Sequence, residues 1–372
     1  MINRNFIFLP MSLFLIFQIL PQLGLANERI VPAEQLLQEG YKKIDTGLDF
    51  SMGIQSKFPL EVDFPLSHSL PWPVQFQDEQ HSVANTMIQY QPFGTPYFHG
   101  GCDLRVKKNE KVYSPVAGKI EAGHYSYTTN ADGHLIKYFK PWPQKGSALY
   151  FEVAVTTESG LRYEFHHMNR ERLTEEIFQL LNRGGGPIPA GTLLGETITW
   201  PDGVYHHIHY NIILPSGARA NPEYFSTLIP DQLPPYIEGA FAIFKNNKVQ
   251  NFDKGVFQEL PKEFVIAVKD KYDHSIYEHP ISLARLTFLN GIQTEWDFRQ
   301  FLINDLGQPP SLWDFFLDYL KTPDGITLST SGGYGTGLSL IRLKIPSAAL
   351  GKFQIKLEDM SGNQSMLYGE IQ

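Results

Sequence analysis

The pattern of hydrophobic and polar residues divides the chain into regions. An apolar run from Phe6 to Leu20 comes first, and a polar, mixed stretch follows as far as about Leu70. Residues 71–228 then alternate between apolar and polar over short runs that are separated by glycine, proline, asparagine and aspartate. This alternation predicts antiparallel β-strands joined by turns. We therefore expect residues 71–228 to form an antiparallel β-sheet domain.

A second β-rich region is predicted after a linker at residues 229–235, where Pro234-Pro235 cannot join a strand ladder. Runs of β-branched and aromatic residues predict strands at Phe264–Val268, Ile281–Leu289, Leu338–Ile345 and Phe353–Leu357. Amphipathic stretches at Glu295–Leu306 and Leu312–Lys321 predict two helices, and Thr322–Gly325 predicts a turn. The expected fold class is therefore mainly β, with a C-terminal β-sandwich-like domain over residues 236–372 that carries a helical insertion.

Composition and charge limit the class of protein. The chain has 372 residues, of which 42% are hydrophobic and 19% charged, as is typical of a globular protein with more than one core. A net charge of −8 without a basic stripe argues against binding of nucleic acid, which needs positive charge to neutralise phosphates. Cys102 is the single cysteine, so no disulfide can form within the chain.

The N-terminus has the pattern of a secretory signal peptide over residues 1–26. Arg4 precedes the apolar run, and Gly24-Leu25-Ala26 places small residues where a signal peptidase reads them. The run is about 15 residues long, whereas a bilayer span needs roughly 20, and Pro10 interrupts it. We expect cleavage after Ala26, export to the periplasm or the extracellular space, and no stable membrane span afterwards. Residues 27–70 would form an N-terminal extension with a short helix around Ala33–Lys43.

Candidate chemistry lies in the middle of the chain, because eight of the twelve histidines fall between His99 and His209. They form three groups, which are His99-Gly100-Gly101-Cys102-Asp103, His166-His167-Met168-Asn169 and His206-His207-Ile208-His209. On a strand, side chains two positions apart share a face. His207 and His209 should therefore point together, while His206 falls on the apolar face and is expected to be structural.

The same alternation separates the middle histidines. His167 falls at the end of the apolar face and is the better candidate for the site, whereas His166 is expected to face solvent. Tyr125 and Tyr127 fall in a predicted exposed loop, and we leave them out of the site.

His99 and Asp103 need a bend in the backbone. On a straight strand they would lie about 13 Å apart, too far to share one ion. Gly100-Gly101 permits such a bend. Two histidines and a carboxylate then match the three-ligand set of a catalytic zinc site, with a fourth position for water. Cys102 would point away from Asp103, so packing is its expected role.

These groups resemble the lysostaphin-type (LytM-like) peptidases of the M23 metallopeptidase family over about Pro71–Phe225. The shared elements are His99 to Asp103, Ser114 to Ile120, Phe165 to Met168, Pro189 to Gly195, His207 to Ile212 and Asn221 to Phe225. The resemblance implies a peptidase domain of LytM type that binds one Zn²⁺ per chain. It implies that the metal ligands are His99, Asp103 and His209, and that the catalytic residues are His167 and His207.

The resemblance also implies an activity, which is zinc-dependent hydrolysis of peptide bonds in the cross-links or stem peptides of bacterial peptidoglycan. Two departures concern substrate fit, namely Tyr210-Asn211 in place of the more usual Phe-Glu, and a longer insertion at about His124–Gly146. The alternative is a catalytically silent protein that binds the cell wall or activates a hydrolase. Because such relatives typically lack some ligands, the complete set favours an enzyme. A third reading gives the specific function to the C-terminal region, as a binder of wall polymer or of a partner.

Overall fold

The computed structural model describes residues 31–43, 62–76, 82–91, 97–129, 135–200, 203, 205–253, 255–273, 275–302, 312–330 and 337–372. The predicted signal peptide lies outside these residues. The described part of the chain is mainly β, so the predicted fold class is confirmed. Among the described residues, no helix has both the length and the hydrophobicity needed to span a membrane.

In the described part of the chain up to residue 225, the elements run in this order. They are α1 (Ala33–Gln38), β1 (Lys42–Lys43), β2 (Ser82–Asn85), β3 (Tyr90–Gln91), β4 (Tyr97–Phe98), β5 (Cys102–Arg105), β6 (Lys111–Tyr113), β7 (Gly118–Thr129), β8 (Leu135–Pro141), β9 (Phe151–Thr156), β10 (Arg162–His166), β11 (Met168–Leu173), α2 (Glu175–Asn182), β12 (Gly186–Ile188), β13 (Leu193–Thr197), β14 (His207–Ile213), β15 (Arg219–Ala220) and α3 (Pro222–Phe225). A 3₁₀ turn at Ala148–Tyr150 precedes β9.

The described residues after 235 add β16 (Tyr236–Ile243), β17 (Val249–Asn251), β18 (Val256–Phe257), β19 (Glu263–Lys269), β20 (Leu283–Phe288), β21 (Gln293–Asp297), a 3₁₀ turn at Phe298–Gln300, β22 (Tyr319–Lys321), β23 (Thr327–Ser329), β24 (Ser339–Lys344), β25 (Gly351–Glu358) and β26 (Gln364–Ile371). The four strands predicted from the sequence of this region correspond to β19, β20, β24 and β25, and are confirmed. The predicted turn joins β22 to β23.

A large antiparallel sheet carries the histidine groups. Its strand order is β1-β8-β7-β9-β10-β14-β5-β2, with β12 beside β7 and β15 beside β14. One face is apolar and packs, through residues such as Phe165 and Ile208, against the small sheet β11-β13-β6 and against α2. The other face carries Glu164, His166 and His209, because the strands alternate. The site is therefore built on the face of the sheet opposite the core.

The long insertion forms the hairpin of β7 and β8, and β1 of the N-terminal extension pairs with β8. The helix predicted around Ala33–Lys43 ends at Gln38, and Lys42–Lys43 continues as this edge strand. Tyr125 and Tyr127 lie on β7 and are buried, so the expectation of an exposed loop is wrong. Their rings form a cluster with Phe139 and Tyr150, which draws the hairpin onto the sheet.

The C-terminal region is a sandwich of two sheets. One has the order β17-β16-β19-β24 and the other β18-β26-β25-β20-β21. Inward-facing residues such as Ile266 and Leu343 on the first sheet, and Leu286 and Ile355 on the second, share one core. This face-to-face packing of apolar faces is what stabilises a sandwich.

The two helices predicted in this region are wrong over the described residues. Residues 293–300 form β21 and a 3₁₀ turn, and residues 319–321 form β22. Phe298 and Phe316 are buried in the sandwich core. Their rings stack with centroids 5.4 Å apart, and the Phe316 ring also stacks on Phe98 with centroids 5.6 Å apart. Within each segment, apolar residues three or four positions apart, such as Phe298 and Phe301 or Leu312 and Phe316, imitate a helical period, but tertiary packing of an irregular segment decides the structure.

The two halves of the chain exchange side chains at their junction. Met87, Ile88 and Phe98 belong to the core of the C-terminal sandwich, although they precede it by well over a hundred residues. In return, Tyr272 and Leu302 pack into the core beneath the large sheet. The domain boundaries given above stay a prediction, but each core depends on residues from the other half.

Candidate functional site

The three residues predicted to bind zinc converge at the junction of β4, β5 and β14. Asp103 on β5 lies opposite His209 on β14, and His99 directly follows β4. His209 Nδ1 is 2.8 Å from Asp103 Oδ1 and 2.9 Å from His99 Nε2. His99 Nε2 is 3.2 Å from Asp103 Oδ1. Three potential metal-ligand atoms, two from the His99–Asp103 turn and one from β14, therefore point at one another.

This donor set fits a tetrahedral metal ion. Ligands about 2.0 Å from zinc in tetrahedral geometry lie about 3.3 Å apart, close to the spacing of these atoms. His99 Nδ1 donates to Thr86 O at 3.1 Å, so Nε2 carries the lone pair that faces the other two donors. Asp103 Oδ2 accepts a hydrogen bond from Asn85 Nδ2 at 2.7 Å, which orients the carboxylate. Asn85 was not identified from the sequence.

Gly101 lies so close to β14 that no side chain fits there. A Cβ atom there would lie 2.0 Å from Asn211 Oδ1 and 2.5 Å from Tyr210 O, both on β14. The glycine therefore lets the turn after His99 approach β14 closely. Conformational freedom is the role expected of this glycine from the sequence, whereas close approach of the two backbone segments is the observed reason.

Burial and charge set the protonation of the donors. Burial lowers the pKa of His209 to about 3, although its hydrogen bond with Asp103 opposes the shift. Burial alone would raise the pKa of Asp103, but His99 and His207 nearby outweigh it and hold that pKa well below its usual value. At neutral pH the pair is thus a neutral imidazole and a carboxylate, the forms that coordinate metal.

The two histidines predicted to be catalytic lie against each other, with ring centroids 4.7 Å apart. His167 Nδ1 donates to Leu149 O at 2.8 Å and His207 Nδ1 to Tyr205 O at 3.3 Å, which leaves Nε2 of each as the acceptor. Burial lowers both pKa values to about 3, so both rings are neutral bases at neutral pH. Trp200 stacks on His207 with centroids 4.8 Å apart and covers it.

His167 reaches this position by a change in backbone direction. Strand β10 ends at His166, and His167 has a φ of 63°, in the left-handed region. This conformation turns the His167 side chain from the apolar face, where strict alternation would place it, to the polar face with His207. The alternation argument for His167 therefore does not hold, although the residue lies beside His207.

His166 does not face solvent as expected, because it is 1% exposed. Its Nε2 lies 2.9 Å from Glu164 Oε2 and 3.3 Å from Glu152 Oε2, and its ring contacts Tyr125 at 4.3 Å. The β7–β8 hairpin covers this face of the sheet, which the residues of β10 alone do not indicate. His206 is also buried, and its Nδ1 accepts from Trp200 N at 3.3 Å, in keeping with a structural role.

A buried network of charges lies beside the site. Lys137 Nζ on β8 is 2.6 Å from Glu152 Oε2 and 3.1 Å from Glu164 Oε2. Arg162 pairs with the same two carboxylates. Burial would raise the pKa of Glu164, but Lys137, His166 and Arg162 outweigh it and hold that pKa well below its usual value. These pairs fix the wall of the site next to His166.

Tyr125 is a further site residue that the sequence analysis missed. Its hydroxyl lies 3.4 Å from His167 Nδ1, and the ring is 2% exposed. The sequence signal that could have placed it there is the spacing of Tyr125 and Tyr127, because aromatic residues two positions apart are typical of one face of a strand. Cys102 points away from Asp103 into the apolar core, as expected.

Comparison with known proteins gives only distant similarities. No family model and no curated protein matches the chain. Among solved structures, it is similar to a Pseudomonas aeruginosa protein proposed to be an M23 peptidase, at 20% identity over 43% of this chain and 54% of that chain, with a TM-score of 0.24. It is also similar to the antimicrobial peptidase lysostaphin from Staphylococcus simulans, at 10% identity over 83% of this chain and 92% of that chain, with a TM-score of 0.28. At these values the functional assignment has to rest on the site.

Proposed function

We propose that this protein is an exported zinc-dependent endopeptidase that hydrolyses peptide bonds in peptidoglycan. The observation that carries the proposal is the mutual approach, within 3.2 Å, of donor atoms from His99, Asp103 and His209, beside a pair of neutral buried histidines. Three acceptor groups of this kind repel one another unless a cation or a shared proton lies between them. Peptidoglycan as substrate follows from the sequence elements shared with the lysostaphin-type family.

In the proposed mechanism, His99, Asp103 and His209 hold the zinc ion. Bound zinc supplies Lewis acidity, which polarises a carbonyl group and lowers the pKa of a water molecule. His167 and His207 each take up or release a proton at Nε2, because their Nδ1 atoms are committed to backbone carbonyls. Trp200 limits access of water to these rings by stacking on His207.

The decisive assay compares hydrolysis of purified peptidoglycan with and without a metal chelator. We expect release of muropeptides that the chelator abolishes and added zinc restores. No metal-dependent release would contradict the enzyme and favour the alternative, a silent wall-binding or hydrolase-activating protein. Mass spectrometry of the released muropeptides would identify the bond that is cut. Mass spectrometry of the intact secreted protein would test the expected cleavage after Ala26.

Substitutions in the His207-Ile208-His209 element separate metal binding from catalysis. We expect His209→Ala to lose bound zinc, because it removes one of three ligands. His207→Ala should retain zinc and lose turnover by roughly 10²- to 10⁴-fold, the usual contribution of a general acid or base. Zinc content after dialysis and initial rates of hydrolysis are the measurements. His68→Ala, remote from the site, is the control, and stoichiometric zinc in the His209→Ala protein would refute the ligand assignment.

A further inference from the structure

The position of His99 depends on the turn that precedes it. His99 N donates to Gln89 O at 2.9 Å, and Ile88 N donates to His99 O at 2.8 Å. The side chain adds its own bond from Nδ1 to Thr86 O. Three hydrogen bonds thus tie His99 to residues 86–89, so a shift of this turn would move Nε2 as well.

The apolar side chains of this turn and of the following hairpin are held by the C-terminal sandwich. Met87, Ile88 and Phe98 are each at most 3% exposed and belong to the sandwich core. Ile88 has a φ of 66°, a conformation that a β-branched residue adopts only where its surroundings impose it. Gln89 Nε2 also donates to Glu278 O, on the sandwich side, at 3.3 Å.

Phe98, the residue directly before His99, is the centre of an aromatic cluster. Its ring centroid lies 5.0 Å from that of Trp313 and 5.6 Å from that of Phe316. Tyr90, which is paired with Phe98 across β3 and β4, contacts Trp313 at 5.2 Å. Edge-to-face and offset contacts at these distances are specific in geometry, so they fix Phe98 rather than merely cover it.

A second contact from the C-terminal half leads through Glu223 to Cys102, the residue before Asp103. Tyr272 Oη donates to Glu223 Oε1 at 2.7 Å, and Glu223 also takes a hydrogen bond from Cys102, the neighbour of Asp103. Tyr272 and Cys102 belong to the same hydrophobic core. The C-terminal half therefore approaches the His99–Asp103 element at two points, through Phe98 directly before His99 and through Glu223 at Cys102.

We propose that the C-terminal sandwich is a positioning element of the metal centre, and that Trp313 and Phe316 position His99 through Phe98. The inference rests on the proposed function in taking His99 as a metal ligand. It differs from the reading of the C-terminal region as a separable wall-binding module. It implies that the site assembles only when the sandwich is folded against Met87, Ile88 and Phe98.

The test uses the full-length protein and two tryptophans of the same sandwich. Trp313→Ala removes contacts with Phe98 and Tyr90, whereas Trp296→Ala removes a similarly half-buried ring that contacts Phe315. Zinc affinity is measured by competition with a chelator, and ligand geometry by the visible spectrum of the cobalt-substituted protein. We expect Trp313→Ala to weaken zinc binding about tenfold or more, as changes to residues that orient ligands do. Trp296→Ala should bind zinc as the parent protein does.

A conservative variant and a metal-free measurement complete the test. Trp313→Phe retains an aromatic ring against Phe98 and should recover most of the affinity, even if Trp313→Ala fails to fold. In the metal-free protein, the imidazole NMR signals of His99 should shift in Trp313→Ala and Phe316→Leu, and should stay close to those of the parent protein in Trp313→Phe and Trp296→Ala. Unchanged His99 signals together with unchanged zinc affinity in Phe316→Leu, and in Trp313→Ala if it folds, would overturn the proposal. Parent protein that binds no zinc would refute the proposed function, while the NMR comparison would still decide the positioning role.

Discussion

At the scale of the residue, His167 enters the site through a conformation that must be held in place. A non-glycine residue in the left-handed region costs of the order of 1–3 kcal/mol unless its surroundings compensate. The bond from His167 Nδ1 to Leu149 O and the edge contact with Trp200, at 4.8 Å between centroids, supply that compensation. The hydroxyl group of Tyr125, 3.4 Å from His167 Nδ1, lies beside the same ring. Such strain at a candidate general base is typical of functional sites.

Tyr125→Phe tests the contribution of the hydroxyl next to His167. The variant keeps the ring that contacts His166 and removes the oxygen 3.4 Å from His167 Nδ1. Because the proton on Nδ1 is already donated to Leu149 O, the hydroxyl can only share it, so we expect kcat to fall by no more than about fivefold, the equivalent of about 1 kcal/mol, with zinc affinity unchanged. Tyr127→Phe removes a hydroxyl from the neighbouring ring and is the control. Equal losses in both variants would show that the effect is general to the hairpin.

At this scale the sequence nominates candidate residues where a local motif defines them. His99, Asp103 and His209, with His167 and His207, come from three short elements, and the fold brings them together. Asn85, Tyr125 and Trp200 come from elements with no shared motif, and only strand pairing or loop packing carries them to the site. The expectation that His166 faces solvent is wrong, because a strand pattern gives the face on which a residue lies but not what covers that face.

At the scale of the element, the close pairing of β5 with β14 controls the distance between Asp103 and His209. Their register places these residues directly opposite each other. The turn at Gly101 passes against Asn211 and Tyr210 of β14 without room for a side chain. Anything that widens this approach would separate the donors.

Gly101→Ala is therefore expected to damage both stability and metal binding. The added methyl group would meet backbone and side-chain oxygens within 2.5 Å, and overpacking of this kind costs about 2 kcal/mol or more. Urea unfolding and zinc titration are the measurements. Gly191→Ala is the matched control, since its methyl group meets nothing within 4 Å and the cost is limited to about 1 kcal/mol of backbone strain. Equal unfolding midpoints for Gly101→Ala and the parent protein would contradict this account.

Elements are predictable from sequence where their contacts repeat. The strands β19, β20, β24 and β25 are found because each has a regular inward-facing stripe in one sandwich. The predicted helices fail because Phe298, Phe301, Leu312 and Phe316 are apolar at spacings of three and four but fill gaps in that sandwich from irregular segments. The same spacing thus has two structural origins, and tertiary context decides between them.

At the scale of the whole molecule, the junction between the two halves contains buried ionisable groups. His279 pairs through its backbone with Asp270 and is 2% exposed. Burial lowers the pKa of His279 to about 3, whereas burial raises the pKa of Asp270 to about 8 and that of Glu223 to about 7. The linker predicted at residues 229–235 rests on a local sequence pattern, and no local pattern indicates this junction, because its contacts join residues far apart in the chain.

The stability of this junction should depend on pH. The folded protein keeps His279 neutral down to about pH 3, while the unfolded chain protonates it near pH 6.5. Its contribution is therefore complete above pH 6.5 and is lost as pH falls, by up to about 1.4 kcal/mol per pH unit. The raised pKa values of Asp270 and Glu223 act in the opposite direction, so the test is a comparison. Urea unfolding should show a smaller loss of stability between pH 7 and pH 5 for His279→Leu than for the parent protein, and an equal loss would contradict the prediction.

The burial of Cys102 has a consequence for a protein with a single thiol. Burial raises the pKa of this thiol well above its usual value, and the thiolate is the form that reacts with oxidants and disulfides. In the folded state the cysteine is thus protected from cross-linking to a second chain, even under oxidising conditions. Because Cys102 is buried, a thiol reagent can reach it only when β5 separates from its neighbouring strands. Asp103 is the next residue on β5, so the same opening also disrupts the candidate metal ligands. The rate at which a thiol reagent modifies Cys102 in the folded protein therefore reports how often the candidate site opens.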